Sequence, residues 1–102
     1  MAAYVLAMVE VTDAGKYAEY AKRTPAAIAA FGGRFVVRGG PVETLEGAED
    51  KRRFVLIEFP TKEAARGFYA SAAYQEAKGF REGAAKATFL LLEGWVPPEV
   101  SG

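Results

Sequence analysis

The chain has 102 residues, 51% hydrophobic and 25% charged, and balances 13 Lys and Arg against 13 Asp and Glu, as expected of one globular domain. The zero formal charge argues against nucleic acid or an anionic membrane surface as the main target. Cysteine and histidine are both absent, which excludes disulfides, thiolate nucleophiles and Cys-ligated metals and removes the commonest general base and metal ligand.

Residues 4–11 are short, Val-rich and apolar at both parities, which predicts a strand buried on both faces. Thr12 or Asp13 then caps a helix over about residues 14–31. Tyr17, Tyr20, Ala21, Ile28 and Phe31 recur near helical spacing in that stretch. Pro25 removes a backbone donor and clashes with the preceding turn, so a kink or break is expected near Thr24. Gly32-Gly33 ends the helix. Residues 34–38 form the second strand, interrupted by a bulge or bend at Gly39-Gly40-Pro41, and residues 42–45 are expected to continue it toward a hairpin tip at 47–50. The third strand is 53–59, stopped by Pro60. Thr61 and Ser71 are N-cap candidates, so two helical pieces are expected, about 62–70 and 72–80. The fourth strand is 88–96, and Pro97-Pro98 makes an extended tail. Residues 1–96 thus form one domain and 97–102 a tail. Val9–Asp13 is echoed by Ile57–Thr61, each a strand running into a capped helix. The order β-α-β-β-α-β predicts an α+β, ferredoxin-like fold with a four-stranded antiparallel sheet.

In that fold the helices cover one sheet face and leave the other bare. Side chains alternate along a strand, so each strand offers two sets. Assigning the bulkier set of each strand to the bare face places Tyr4, Leu6, Met8, Phe54, Leu56, Phe89, Leu91 and Trp95 there, together with Glu10, Glu58 and Glu93. A patch of that size exceeds what a monomer normally exposes. The expectation is a C2 homodimer packed through the helix-free sheet face. Arg34 and Arg38 share one parity of the second strand, and an Arg38–Glu58 pair would compensate the carboxylate.

No run approaches the roughly 20 apolar residues of a membrane-spanning helix, and no targeting segment is evident, so a cytoplasmic location is expected. There is no phosphate-cradling glycine pattern. Arg38-Gly39-Gly40 suits either an anion fork or a bulge with Arg38 paired to Glu58. Tyr69 and Tyr74 would line a small-molecule pocket or simply pack in the core. Arg81, at helical spacing from Tyr74 and Ala77, points to the same pocket or to solvent. Lys51-Arg52-Arg53 has the pattern of a solvated turn.

The ordered set Tyr17, Pro25, Gly32-Gly33, Arg38-Gly39-Gly40, Glu46-Gly47, Phe59-Pro60, Phe68-Tyr69, Ser71, Tyr74 and Arg81 resembles the bacterial family called domain of unknown function 1330. The resemblance covers about residues 3–95. It implies the dimeric α+β barrel, a ferredoxin-like dimer whose sheets face each other, in a superfamily that includes heme-degrading and cofactor-independent monooxygenases. The missing histidine departs from the heme-degrading members. Kinship of fold does not transfer activity. The resulting expectation is a homodimer holding a small organic ligand, with Arg38, Glu58, Tyr69, Tyr74 and Arg81 as candidate ligand-binding residues and with no metal, cofactor, nucleic acid or membrane as partner. The alternative is a cofactor-independent monooxygenase or isomerase acting on a small carboxylate or aromatic substrate. There Arg38 would anchor the anion, Glu58 or Glu10 would move a proton, and Tyr69 or Tyr74 would donate a hydrogen bond. A third expectation is a structural or regulatory dimer that binds another protein.

Overall fold

A computed structural model describes residues 1–98, in the order β1 (Ala3–Val11), α1 (Ala14–Ala21), α2 (Thr24–Ala29), β2 (Arg34–Arg38), β3 (Arg53–Phe59), α3 (Lys62–Ala70), α4 (Ala72–Arg81) and β4 (Ala85–Glu93). The expected tail at 97–102 falls partly outside the described residues. Helix starts follow local chemistry. Asp13, Thr61 and Ser71 have extended backbones, and their side-chain oxygens accept the N–H groups of Lys16, Ala64 and Tyr74, donors that a helix cannot satisfy internally. Pro25 divides the first helical stretch, since it sits in the first turn of α2, where its missing N–H costs nothing. Gly32 closes α2 with φ +75°. Thr61→Ala is expected to cost about 1 kcal/mol, seen as a lower midpoint in urea unfolding.

The sheet is antiparallel in the order β2-β3-β1-β4, the split βαβ arrangement of a ferredoxin-like fold. Its helix side holds the core. Val5, Ala7, Val9, Val55, Ile57 and Phe59 point there and are buried, under Ile28, Ala65, Phe68 and Tyr74 from the helices. No helix among the described residues is long and apolar enough to cross a membrane.

Three sequence expectations are corrected. First, the faces of β4 are exchanged. The register pairs Val5 with Leu91 and Ala7 with Phe89, and directly paired residues share a face, so Phe89 and Leu91 lie on the helix side while Leu90 and Leu92 join the bare side. Size misleads here because β1 is small at Ala7 on the helix side, and Phe89 stands beside it there. Glu93, opposite Ala3, also lies on the helix side and pairs with Lys62 of α3 at 3.3 Å. Trp95 lies beyond the strand and is 78% exposed. Second, β4 starts at Ala85 and stops at Glu93, after which the Gly94 N–H donates to the Ala2 carbonyl at 2.9 Å. Third, residues 42–45 form no strand, and residues 40–49 are exposed. With no sheet or helix on which to bury Val42 and Leu45, these side chains remain in water at 49% and 90% exposure.

The helix-free face carries Tyr4, Leu6, Met8, Val37, Phe54, Leu56, Leu90 and Leu92, and no element among the described residues covers it. Glu10 lies opposite Lys86 at one end, and Glu58 lies opposite Arg34 and Tyr4 at the other.

Candidate functional site

A register shift between Phe35 and Val37 in β2 decides which arginine faces which layer. The extra residue breaks the alternation, so Arg34 points to the bare face and Arg38, four residues on, points to the helix side. The expected Arg38–Glu58 pair is therefore replaced. Arg34 donates to one Glu58 oxygen from Nε and from Nη2, both at 2.7 Å. The Tyr4 hydroxyl donates to the other oxygen at 3.1 Å, and that acceptor carboxylate raises the Tyr4 phenol above its ordinary pKa. Arg38 stacks on the Phe35 ring at 4.2 Å and donates to the Ala21 carbonyl at 3.1 Å.

The layer between helices and sheet holds an aromatic and basic cluster. Tyr74 is fully buried, and its hydroxyl lies 2.8 Å from that of Tyr20, which is also buried. The Tyr74 ring packs against Phe68, Tyr69 and Phe89 at centroid distances of 4.6, 5.1 and 6.2 Å. Arg81 occupies the last turn of α4, seven residues beyond Tyr74 and so on the same helix face. It is only 8% exposed. Its guanidinium carbon lies 5.0 Å from the Phe89 ring centre and 5.3 Å from that of Tyr20, its Nε has no acceptor, and no acidic group among the described residues forms an ion pair with it.

Arg81 opens onto a cleft of about 530 Å³ between α3, α4 and β4, where Arg66, Tyr69, Lys78, Phe89 and Leu91 also line the walls. Among the described residues no carboxylate lines it. A second space, of about 30 Å³, lies deeper, beside Tyr17, Tyr20, Thr24, Arg38 and Arg53. That is room for a water or two. Arg53 reaches it because its parity in β3 matches that of Val55, and it has an unpaired Nε of its own. Gly39 makes room for it, since a Cβ there would run into the Arg53 guanidinium.

The five residues singled out in the sequence thus fall in three places. Tyr69 and Arg81 face the cleft with Tyr74 behind them, Arg38 borders the deeper space, and Glu58 is on the opposite side of the sheet. Sequence reading missed Tyr20 and Arg53. Arg53 was legible from its parity with Val55 and Ile57, but the charge run around it obscured that signal. Among the described residues no group of three or more Asp and Glu is placed to hold a metal ion.

Burial, and then Tyr74 itself, pushes the Tyr20 phenol far above its ordinary value of 10.0, and burial likewise raises Tyr74. Phenols whose pKa is raised by folding give stability that is complete below the unfolded value and lost as pH rises beyond it. Unfolding midpoints taken between about pH 8 and about pH 11 should fall steeply above pH 10. The fall should be shallower in the Tyr20→Phe, Tyr74→Phe double variant.

The family model described as Domain of unknown function (DUF1330) matches residues 2–95. No curated protein matches the sequence. Among solved structures, a protein of unknown function from Rhodopseudomonas palustris superposes with a TM-score of 0.74 at 24% identity, covering 94% of this chain and 84% of that one. A dimeric ferredoxin-like protein of unknown function from Jannaschia sp. CCS1 gives 0.63 at 17% identity, with coverage of 92% and 100%. A cofactor-independent oxygenase from Streptomyces nogalater gives 0.59 at 16% identity, with coverage of 96% and 98%. At these identities the likeness establishes the fold.

Proposed function

Because the chain belongs to this family of unknown function, its role must come from its own surfaces, and we propose that it is a cytoplasmic homodimer that binds a small organic molecule in the cleft beside β4. Residues 1–96 are its single folding unit. The observation that carries ligand binding is the cleft itself, about 530 Å³ lined by Tyr69, Phe89 and the buried Arg81, within the size range of small-molecule sites. Tyr69 and Arg81 touch the ligand, Tyr74 backs them, Arg38 borders the deeper space, and Glu58 serves the opposite face. The uncovered apolar side of the sheet supports self-association, as does the likeness to a protein described as dimeric. A thermal-shift screen of small organic acids, alcohols and aromatics tests the binding. At least one class should raise the melting temperature, by an amount that grows with the logarithm of ligand concentration above Kd, and a Tyr69→Ala variant should lose that response. No stabilisation by any compound overturns the ligand reading.

A second reading is catalysis without a cofactor, as in the oxygenase whose fold this chain resembles. The Tyr20–Tyr74 phenol pair beside Arg81 favours it. Glu58, across the sheet, is not the proton acceptor for a molecule in the same protomer's cleft. Oxygen uptake with a hydroquinone probe that stops on Tyr74→Phe would favour catalysis, and no uptake leaves simple binding.

A further inference from the structure

Among the described residues three positive side chains, Arg66, Lys78 and Arg81, line the cleft and no negative one does, although Lys and Arg equal Asp and Glu over the whole chain. The three are not equivalent. Arg66 stands 4.0 Å from Glu63 and is well exposed, and Lys78 lies over the Tyr69 ring at 5.5 Å. Arg81 is the one that is 8% exposed, with no carboxylate partner among the described residues and with an Nε that has no acceptor, the Tyr74 hydroxyl being the polar group beside it. Taking a guanidinium out of water without a carboxylate is costly. The flanking rings of Tyr20 and Phe89 offset part of that cost through cation–π attraction. They supply no carboxylate, and the Arg81 Nε has no acceptor, which leaves donor capacity for an anion.

Beside that unfilled charge the wall is aromatic, its two rings inclined at 57° to each other. Tyr69 and Phe89 have ring centres 5.8 Å apart, and Leu91 adds an aliphatic surface. We propose that the cleft selects an aromatic monoanion, its carboxylate or ionised hydroxyl on Arg81 and its ring lying against the wall formed by Tyr69, Phe89 and Leu91. This deepens the proposed function and rests on the cleft being the ligand site. Lys78, at the cleft wall, draws the same sign of charge inward.

The test uses the full chain and two probes of equal shape, 2-naphthoate and 2-naphthalenemethanol, in calorimetric titrations at low salt. The expected result is saturable binding of the acid, at least about tenfold tighter than of the alcohol. Arg81→Met keeps the length and apolar stem of the side chain and should erase that difference while retaining the native melting transition. Should Arg81→Met fail to fold, Lys78→Gln together with a salt series on the wild type replaces it, and acid binding should weaken in both. Equal affinity for acid and alcohol leaves the ligand site standing and overturns the anion selectivity. Acid selectivity that survives Arg81→Met overturns the role of Arg81. Binding of neither probe counts against both readings.

Discussion

Leu6→Arg should convert the protein from a species of twice 11.0 kDa to one of 11.0 kDa in sedimentation runs. Leu6 lies on β1, a central strand of the sheet, paired with Leu56 on one side and Leu90 on the other, at the middle of the uncovered face. A guanidinium there would have to be desolvated among leucines without a partner, which costs several kcal/mol per ion, and two copies would meet across the two-fold axis. Leu91→Arg is the control. It sits one residue beyond Leu90 but on the helix side, at the cleft, so its dimer should persist. A wild-type protein that sediments at 11.0 kDa, or a Leu6→Arg variant that still doubles, would remove the sheet face from the interface.

Gly33→Ala should lower stability by about 3 kcal/mol, the upper end of the range for overpacking, and the melting temperature by more than 10 °C by the usual conversion, about 4–8 °C per kcal/mol for a domain near this size. A Cβ at Gly33 would stand 2.5 Å from Phe59 Cε1 and 2.8 Å from Ile28 Cγ2. Both neighbours are core side chains, at 0% and 2% exposure, so neither has space to retreat. Gly32→Ala isolates the other way a glycine matters. Its φ is +75°, while an added Cβ would meet only Pro60 at 3.4 Å, so about 1 kcal/mol of left-handed strain is expected. Comparing the two in urea unfolding separates crowding from backbone conformation. If Gly33→Ala is as mild as Gly32→Ala, the chain relaxes around α2 more freely than this packing implies.

The elements were legible wherever one residue type dictates a local conformation. The caps at Asp13, Thr61 and Ser71, the break at Pro25 and the turn at Gly32 each follow from chemistry within a few residues. The faces of β1 and β3 were legible too, since the small or β-branched sets at Val5, Ala7 and Val9 and at Val55 and Ile57 pack under helices. What stayed hidden depends on register. Phe89 lies over Ala7 only because β4 pairs with β1 at that offset, and nothing in the residue sizes of β4 alone encodes it. Arg38 and Arg34 share a parity in the sequence and lose it through one inserted residue near Val36. Carboxylate pairing was misassigned for the same reason. Arg81 was ambiguous because helical spacing puts it beside Tyr74 without saying whether a strand closes over it, and it is Phe89 that closes over it.

The sheet ends on β4, whose outer edge has no neighbouring strand among the described residues. Nine residues long, with Phe89-Leu90-Leu91-Leu92 in succession, it offers a ready template for a foreign backbone. Only Lys86 near one end and Glu93 at the other act as gatekeepers against growth into cross-β fibrils. Dilution or heat that frees lone protomers should therefore nucleate thioflavin-positive deposits sooner than it yields reversibly unfolded chains.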